Sequence, residues 1–143
     1  MSLVIVVGLP GSGKTEHCKQ YAEDGYVVFD DYLRTFWNGD LIKTLREGKK
    51  VCINDPRLCD FRVFDRHLKV FLNLNIEGFS IENIKVVLFK NEPVKCLNNA
   101  QRRGTQTGLQ RGIENDIMTM SRLYDLEKYK QVVVEWVEID CFS

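Results

Sequence analysis

Short, continuous apolar runs alternate along this chain with stretches in which apolar residues recur every three or four positions, a pattern that predicts a parallel sheet with helices on both faces. Leu3-Val4-Ile5-Val6-Val7 reads as the first strand, followed by a helix from Gly13 to about Asp24 that Gly25 ends. Tyr26-Val27-Val28-Phe29 is the expected second strand, with Asp30 and Asp31 at its tip. Tyr32 to Glu47 has helical spacing, with a break at Asn38-Gly39 and a stop at Gly48, before a third strand Val51-Cys52-Ile53 tipped by Asn54 and Asp55. Phe61, Phe64, Leu68, Phe71 and Leu72 mark a helix that buries aromatic bulk against the sheet. Ile84 to Phe89 is the fourth strand, and Asn91-Glu92-Pro93 opens a helix that carries Val94 and Leu97 towards Arg102 and Arg103. Gly104 to Gly112 is polar and reads as irregular. Helical spacing resumes at Ile113, Ile117, Met120 and Tyr124, and Val132 to Ile139 is the fifth strand.

Composition narrows this picture. A chain of 143 residues, 44% hydrophobic, can form one domain with a real core over residues 1–143, with no room for a second enzymatic domain. Lys plus Arg and Asp plus Glu are both 20, so any nucleic-acid contact must be local rather than a general electrostatic pull. Cys18, Cys52, Cys59, Cys96 and Cys141 are scattered, odd in number and contain no C-x-x-C pair, which argues against a zinc site or a disulfide framework and for a reducing cytoplasm. No apolar run approaches the length of a membrane span, and no signal peptide is expected.

The chemistry begins where the first strand ends. Gly8-Leu9-Pro10-Gly11-Ser12-Gly13-Lys14-Thr15 fits the phosphate-binding pattern G-x-x-x-x-G-K-[ST] in the strand-then-helix setting it requires. Its glycines let backbone N–H groups and the start of the next helix face a nucleotide's phosphates. Lys14 is the residue to neutralise the β and γ phosphates, and the Thr15 hydroxyl the one to ligate Mg²⁺. The implied architecture is the three-layer P-loop NTPase fold, with a five-stranded parallel sheet. Ligands of such sheets bind outside the carboxyl ends of the strands, where Asp30, Asp31 and Asp55 converge. Asp30 or Asp31 can take the proton of an attacking hydroxyl, Asp31 being equally suited to cap the next helix. Asp55 is read as a holder of Mg²⁺ or its water, the alternative being a turn residue before Pro56.

Arg102, Arg103 and Arg111 lie in the glycine-bearing segment around 102–112, which is read as a short lid that brings guanidinium groups to the phosphates and excludes water. Phe36 and Trp37 are candidates to stack on an acceptor base, at least one of them being core. His17 and His67 lack a partner at metal-ligand spacing and carry no assigned role.

On the phosphate loop, the Phe29-Asp30-Asp31-Tyr32 segment, the Asp55 tip and the Arg102-Arg103-Gly104-Thr105 stretch, the chain resembles the polynucleotide-kinase family of small P-loop kinases, which is similar in turn to the zeta-toxin-type kinases. The resemblance implies transfer of the γ-phosphoryl group of ATP, with Mg²⁺, to a 5′-hydroxyl of DNA or RNA. It implies Asp30 as the general base, Lys14 and Thr15 as ATP and metal contacts, Asp55 as the supporting acid, and Arg103, with Arg102, as the lid arginine. The chain differs from that family in having Phe29 before the two acids, Leu33 directly after the tyrosine with Arg34 one position later, and Pro56-Arg57 after the third-strand acid. Zero net charge and the displaced arginine also admit a small-molecule acceptor such as a nucleoside, nucleotide or sugar. A nucleotide-controlled, non-catalytic switch is the remaining alternative.

Overall fold

The computed structural model describes the backbone of residues 2–107 and 110–142 and the side chains of these residues apart from Trp37 and 103–111. Strands β1 (Ser2–Val7), β2 (Val27–Asp30), β3 (Lys50–Asn54), β4 (Ile84–Phe89) and β5 (Glu135–Ile139) form one parallel sheet in the order β2-β3-β1-β4-β5. The central strands read as unbroken apolar runs because both of their faces are covered: Leu3 to Val7, Val51 to Ile53 and Val86 to Phe89 are buried. Of the two edge strands, β5 is the more open. Trp136 and Val137 are partly exposed, and the Lys130 ammonium sits 4.6 Å from the Trp136 ring centroid.

Helices α1 (Lys14–Glu23), α2 (Tyr32–Thr35), α3 (Asp40–Arg46), α4 (Phe61–Leu72), α5 (Pro93–Thr107), α6 (Gln110–Leu123) and α7 (Leu126–Lys130) connect these strands. The break expected at Asn38-Gly39 is a 3₁₀ turn over Phe36–Asn38 closed by Gly39 in the left-handed region (φ 75°), which splits α2 from α3. Phe64, Leu68 and Phe71 of α4 are buried as its spacing predicts, and Phe64 meets Tyr129 with ring centroids 4.7 Å apart. Pro93 takes the first position of α5, but Asn91 is not its cap. The Asn91 side-chain amide instead donates to the carbonyls of Ser121 and Tyr124, tying the end of α6 to β4.

Two boundaries differ from the sequence reading. The fifth strand begins at Glu135 rather than Val132, because the Val132 amide closes a turn onto the Tyr129 carbonyl at the end of α7. The irregular lid expected over 102–112 is largely helical: α5 runs through Gly104 to Thr107, and α6 starts at Gln110 and contains Gly112. A polar composition withholds the apolar stripe by which a helix is recognised, yet Gln, Arg and Thr are compatible with one, and a glycine costs about 1 kcal/mol without forbidding it. Among the described residues no helix is long and apolar enough to cross a membrane. All five cysteines are free and buried.

Candidate active site

β1 ends in a loop that can bend only because of its glycines. Gly11 adopts φ 83°, and a Cβ there would stand 2.6 Å from the backbone oxygen of Cys96 at the start of α5; Gly13 adopts φ 106° and would press on the Phe142 ring at 2.9 Å. Leu9 anchors the loop in the core, and Ser12 is fully buried with its hydroxyl unpartnered. The loop is tied down from outside. Asn99 of α5 donates through Nδ2 to the carbonyls of Gly11 and Phe142, both at 2.9 Å, and the Phe142 amide donates to the Ser12 carbonyl. Arg102 donates to Asn99 Oδ1 within α5, one bond removed from the phosphate loop that Asn99 holds. The side chains of Arg103 and Arg111 lie outside the described residues.

Lys14 is 7% exposed, folded back over the loop so that Nζ donates to the Leu9 carbonyl at 2.8 Å. Burial pushes its pKa down, and among the described residues no carboxylate lies within salt-bridge distance of it. A buried ammonium, a buried hydroxyl and a helix N-terminus thus meet at one loop, a combination of donors that suits an anion. Thr15 is exposed at the first turn of α1 and lines a cleft of about 160 Å³ whose opposite wall holds Val28 and Asp30.

Strand register sets the level of Asp30. Asp30 is paired with Asn54, and Asn54 with Val6, so the acid stands beside the start of the phosphate loop, two strands away, or about 10 Å. Its carboxylate is exposed but not loose, because Asn54 Nδ2 donates to Oδ1 at 2.6 Å and also contacts the Cys18 sulfur at 3.2 Å. Asn54, placed by the sequence at the strand tip without a role, is therefore the residue that orients the acid. Asp31 makes no side-chain cap to α2; it turns the chain in the left-handed region (φ 47°), which is costly for a non-glycine residue and re-aims the backbone between strand and helix. Tyr32, the third member of the acid-acid-tyrosine segment, is buried against Phe36, His67 and Phe71. Leu33 turns towards a cavity beside α4, and Arg34 is exposed.

Asp55 departs from its expected task. The carboxylate is fully buried and receives four N–H donors: Arg57 Nε (2.9 Å) and the Arg57 amide (2.9 Å) on Oδ1, and Arg57 Nη2 (2.6 Å) and the Leu33 amide (3.2 Å) on Oδ2. Oxygens so occupied have little left for a cation, so Asp55 caps the 3₁₀ turn Pro56–Cys59 and joins the tips of β2 and β3 rather than standing as a direct Mg²⁺ ligand. Asp55→Ala should destabilise the fold by about 3 kcal/mol, since two amides and a guanidinium lose one buried acceptor. Urea unfolding measures this, and an unchanged midpoint contradicts the anchoring role.

Among the described residues no group of three or more His, Cys, Asp or Glu side chains could hold a metal ion. Mg²⁺ carried by a nucleotide would be held by the Thr15 hydroxyl, which lines one cleft with Asp30.

No protein-family profile matches the chain. It is 37% identical over 131 residues, covering 90% of both chains, to "Uncharacterized protein R277" of Acanthamoeba polyphaga mimivirus. The chain belongs to the family of that mimiviral protein. Among solved structures it is similar to deoxyadenosine kinase from M. mycoides with bound dATP, with a TM-score of 0.53 and 14% identity over 98% of this chain and 91% of that one. This chain therefore has the P-loop kinase fold, α/β with a five-stranded parallel sheet.

Proposed function

We propose that this protein is an ATP-dependent phosphotransferase that moves the γ-phosphoryl group onto a hydroxyl. The observation that carries the reading is the placement of Asp30 level with the phosphate loop, on the wall of a cleft it shares with Thr15. Phosphoryl transfer needs its reactants held in line and its charge neutralised. The loop amides and Lys14 hold the triphosphate; Asp30, oriented by Asn54, accepts the proton of the attacking hydroxyl; Arg102, bonded to the Asn99 that ties down the loop, is the arginine we assign to the transferred group. Thr15 would hold the Mg²⁺ of the nucleotide, which would supply neutralisation of the phosphate charge.

The 5′-hydroxyl of DNA or RNA is the acceptor that the resemblance to polynucleotide kinases supports. A small-molecule acceptor is the second reading, supported by the fold shared with a deoxyadenosine kinase and by a cavity of about 460 Å³ beside α4. Incubation with γ-labelled ATP, Mg²⁺ and either 5′-hydroxyl oligonucleotides or free nucleosides should place label on one of the two. ATP binding without transfer to either would replace the enzyme by a nucleotide-controlled switch.

A further inference from the structure

Two cysteines meet beside the candidate general base. Cys18 is on α1, one turn after Lys14, and Cys52 is on β3, 34 residues further along the chain, yet the Cys52 thiol donates to the Cys18 sulfur at 3.7 Å. The Asn54 amide donates to that same sulfur at 3.2 Å and to Asp30 Oδ1 at 2.6 Å, so one side chain links the thiol pair to the carboxylate. Cys18 is nearly buried, but it stands in the wall of the cleft of about 160 Å³ that Thr15 and Asp30 also line, where a small solute can reach it. Cys96 and Cys141 also lie 4.0 Å apart, yet they line neither this cleft nor the cavity beside α4.

We propose that Cys18 is an oxidation site for small hydroperoxides, that Cys52 resolves it, and that the resulting disulfide disables Asp30; the last step rests on the kinase reading above, the first two do not. The Cys18 sulfur receives two donors, a setting that favours the thiolate. The bond from Cys52 lowers its pKa despite burial, and the Asn54 amide adds to the effect. Cys52 is pushed up by that same bond and by burial, so it keeps its proton, and the pair divides into a nucleophile and a resolving thiol. The Cys18 thiolate attacks one oxygen of the hydroperoxide and the O–O bond breaks; the alcohol or water that leaves takes up the proton the thiol gave up, and Cys18 becomes a sulfenic acid. The Cys52 sulfur then attacks the Cys18 sulfur, the S–O bond breaks, and hydroxide departs as water with the Cys52 proton. Two thiols are oxidised to one disulfide and the hydroperoxide is reduced. Bond formation draws the sulfurs from 3.7 Å to about 2 Å, and a disulfide sulfur attracts the Asn54 amide less than a thiolate does. Asn54 thereby loses one of its two anchors, and the carboxylate it aims loses its fixed position. A misplacement of about 1 Å at a reacting group can cost about 10²-fold in rate.

Treatment of the reduced, nucleotide-free protein with hydrogen peroxide, followed by iodoacetamide in urea and peptide mass spectrometry, tests the pair, with phosphoryl transfer from labelled ATP measured before treatment, after it and after dithiothreitol. A Cys18–Cys52 linked peptide should form while Cys96 and Cys141 remain available to iodoacetamide. Transfer should fall about tenfold or more and return with dithiothreitol. In Cys52→Ala the reaction should stop at the sulfenic acid, trapped on Cys18 by dimedone, and Cys18→Ala should keep its own level of transfer through the treatment. Thermal unfolding shows that each variant is folded, and the wild-type map needs neither of them. A Cys18 still reduced when Cys96 and Cys141 have been oxidised, or a wild-type protein in which no Cys18–Cys52 peptide forms, overturns the site. A linked pair with unchanged transfer, or a folded Cys18→Ala that loses as large a fraction of its transfer as the wild type, overturns the control of Asp30. A linked pair in a protein whose reduced form phosphorylates neither oligonucleotides nor nucleosides keeps the thiol site and refutes the kinase reading instead.

Discussion

Asp30→Asn should lower phosphoryl transfer by about 10²- to 10⁴-fold, the range associated with a positioned general base, while ATP affinity stays close to that of the wild type. The substitution isolates chemistry from shape. Asparagine has the volume of aspartate and keeps an oxygen able to accept the Asn54 amide, so the β2–β3 tip should hold its form while the proton acceptor is lost. The residue is exposed and belongs to no buried ion pair, so stability should change little. Single-turnover transfer of labelled phosphate, with ATP binding measured separately, gives both numbers. Unchanged transfer would dismiss Asp30 as the base and leave Asp31, the next residue in the chain, as the candidate. Asn54→Leu is the companion that separates orientation from chemistry: it should reduce transfer while leaving ATP affinity unchanged, because the carboxylate loses the donor that aims it.

Lys14→Met should leave the nucleotide-free protein as stable as the wild type or raise its stability, and at the same time remove the stabilisation that ATP confers. The two halves have one cause. Lys14 is a buried ammonium whose charge is opposed by burial and met at close range by a carbonyl, so an unbranched apolar side chain of similar length relieves that cost. With ATP at one hundred times its Kd, binding contributes about 2.7 kcal/mol to the wild type. For a domain of this size that is roughly a rise of several degrees in Tm, and the variant should lose nearly all of it. Turnover should fall by about 10²- to 10³-fold with the loss of a donor aimed at developing charge. Thermal scans with and without nucleotide test this pair, and a variant that still responds fully to ATP would show that the lysine does not contact phosphate.

The phosphate loop was legible because its function is written in adjacent residues. Gly11 and Gly13 occupy left-handed conformations that other residues avoid, and a Cβ at Gly11 would strike backbone, so the motif is at once a statement of geometry and of chemistry. The Asp30-Asp31 tip was legible for a related reason: a strand ends in a parallel sheet at the edge where ligands gather. Asp55 shows where reading in one dimension stops. An acid at a strand tip near a phosphate loop suits a cation, but the Pro56-Arg57 that follows supplies a guanidinium close enough to take both of its oxygens. The helical character of 102–107 and 110–112 was hidden in the same way, since a polar segment offers no periodicity to detect.

Alternation of apolar runs and amphipathic stretches determined the strand and helix sequence and the parallel α/β class, and the glycine pattern determined the tight loop after β1, because each depends on neighbours within a few residues. Strand order, the pairing of Asp30 with Asn54, the seal that Asn99 and Phe142 place on the phosphate loop, and the cavity between Leu33, His67 and Met120 were decided only by tertiary structure. Each of these brings together residues far apart in the chain, and their contacts are fixed by packing and hydrogen-bond satisfaction across the whole core rather than by any local preference.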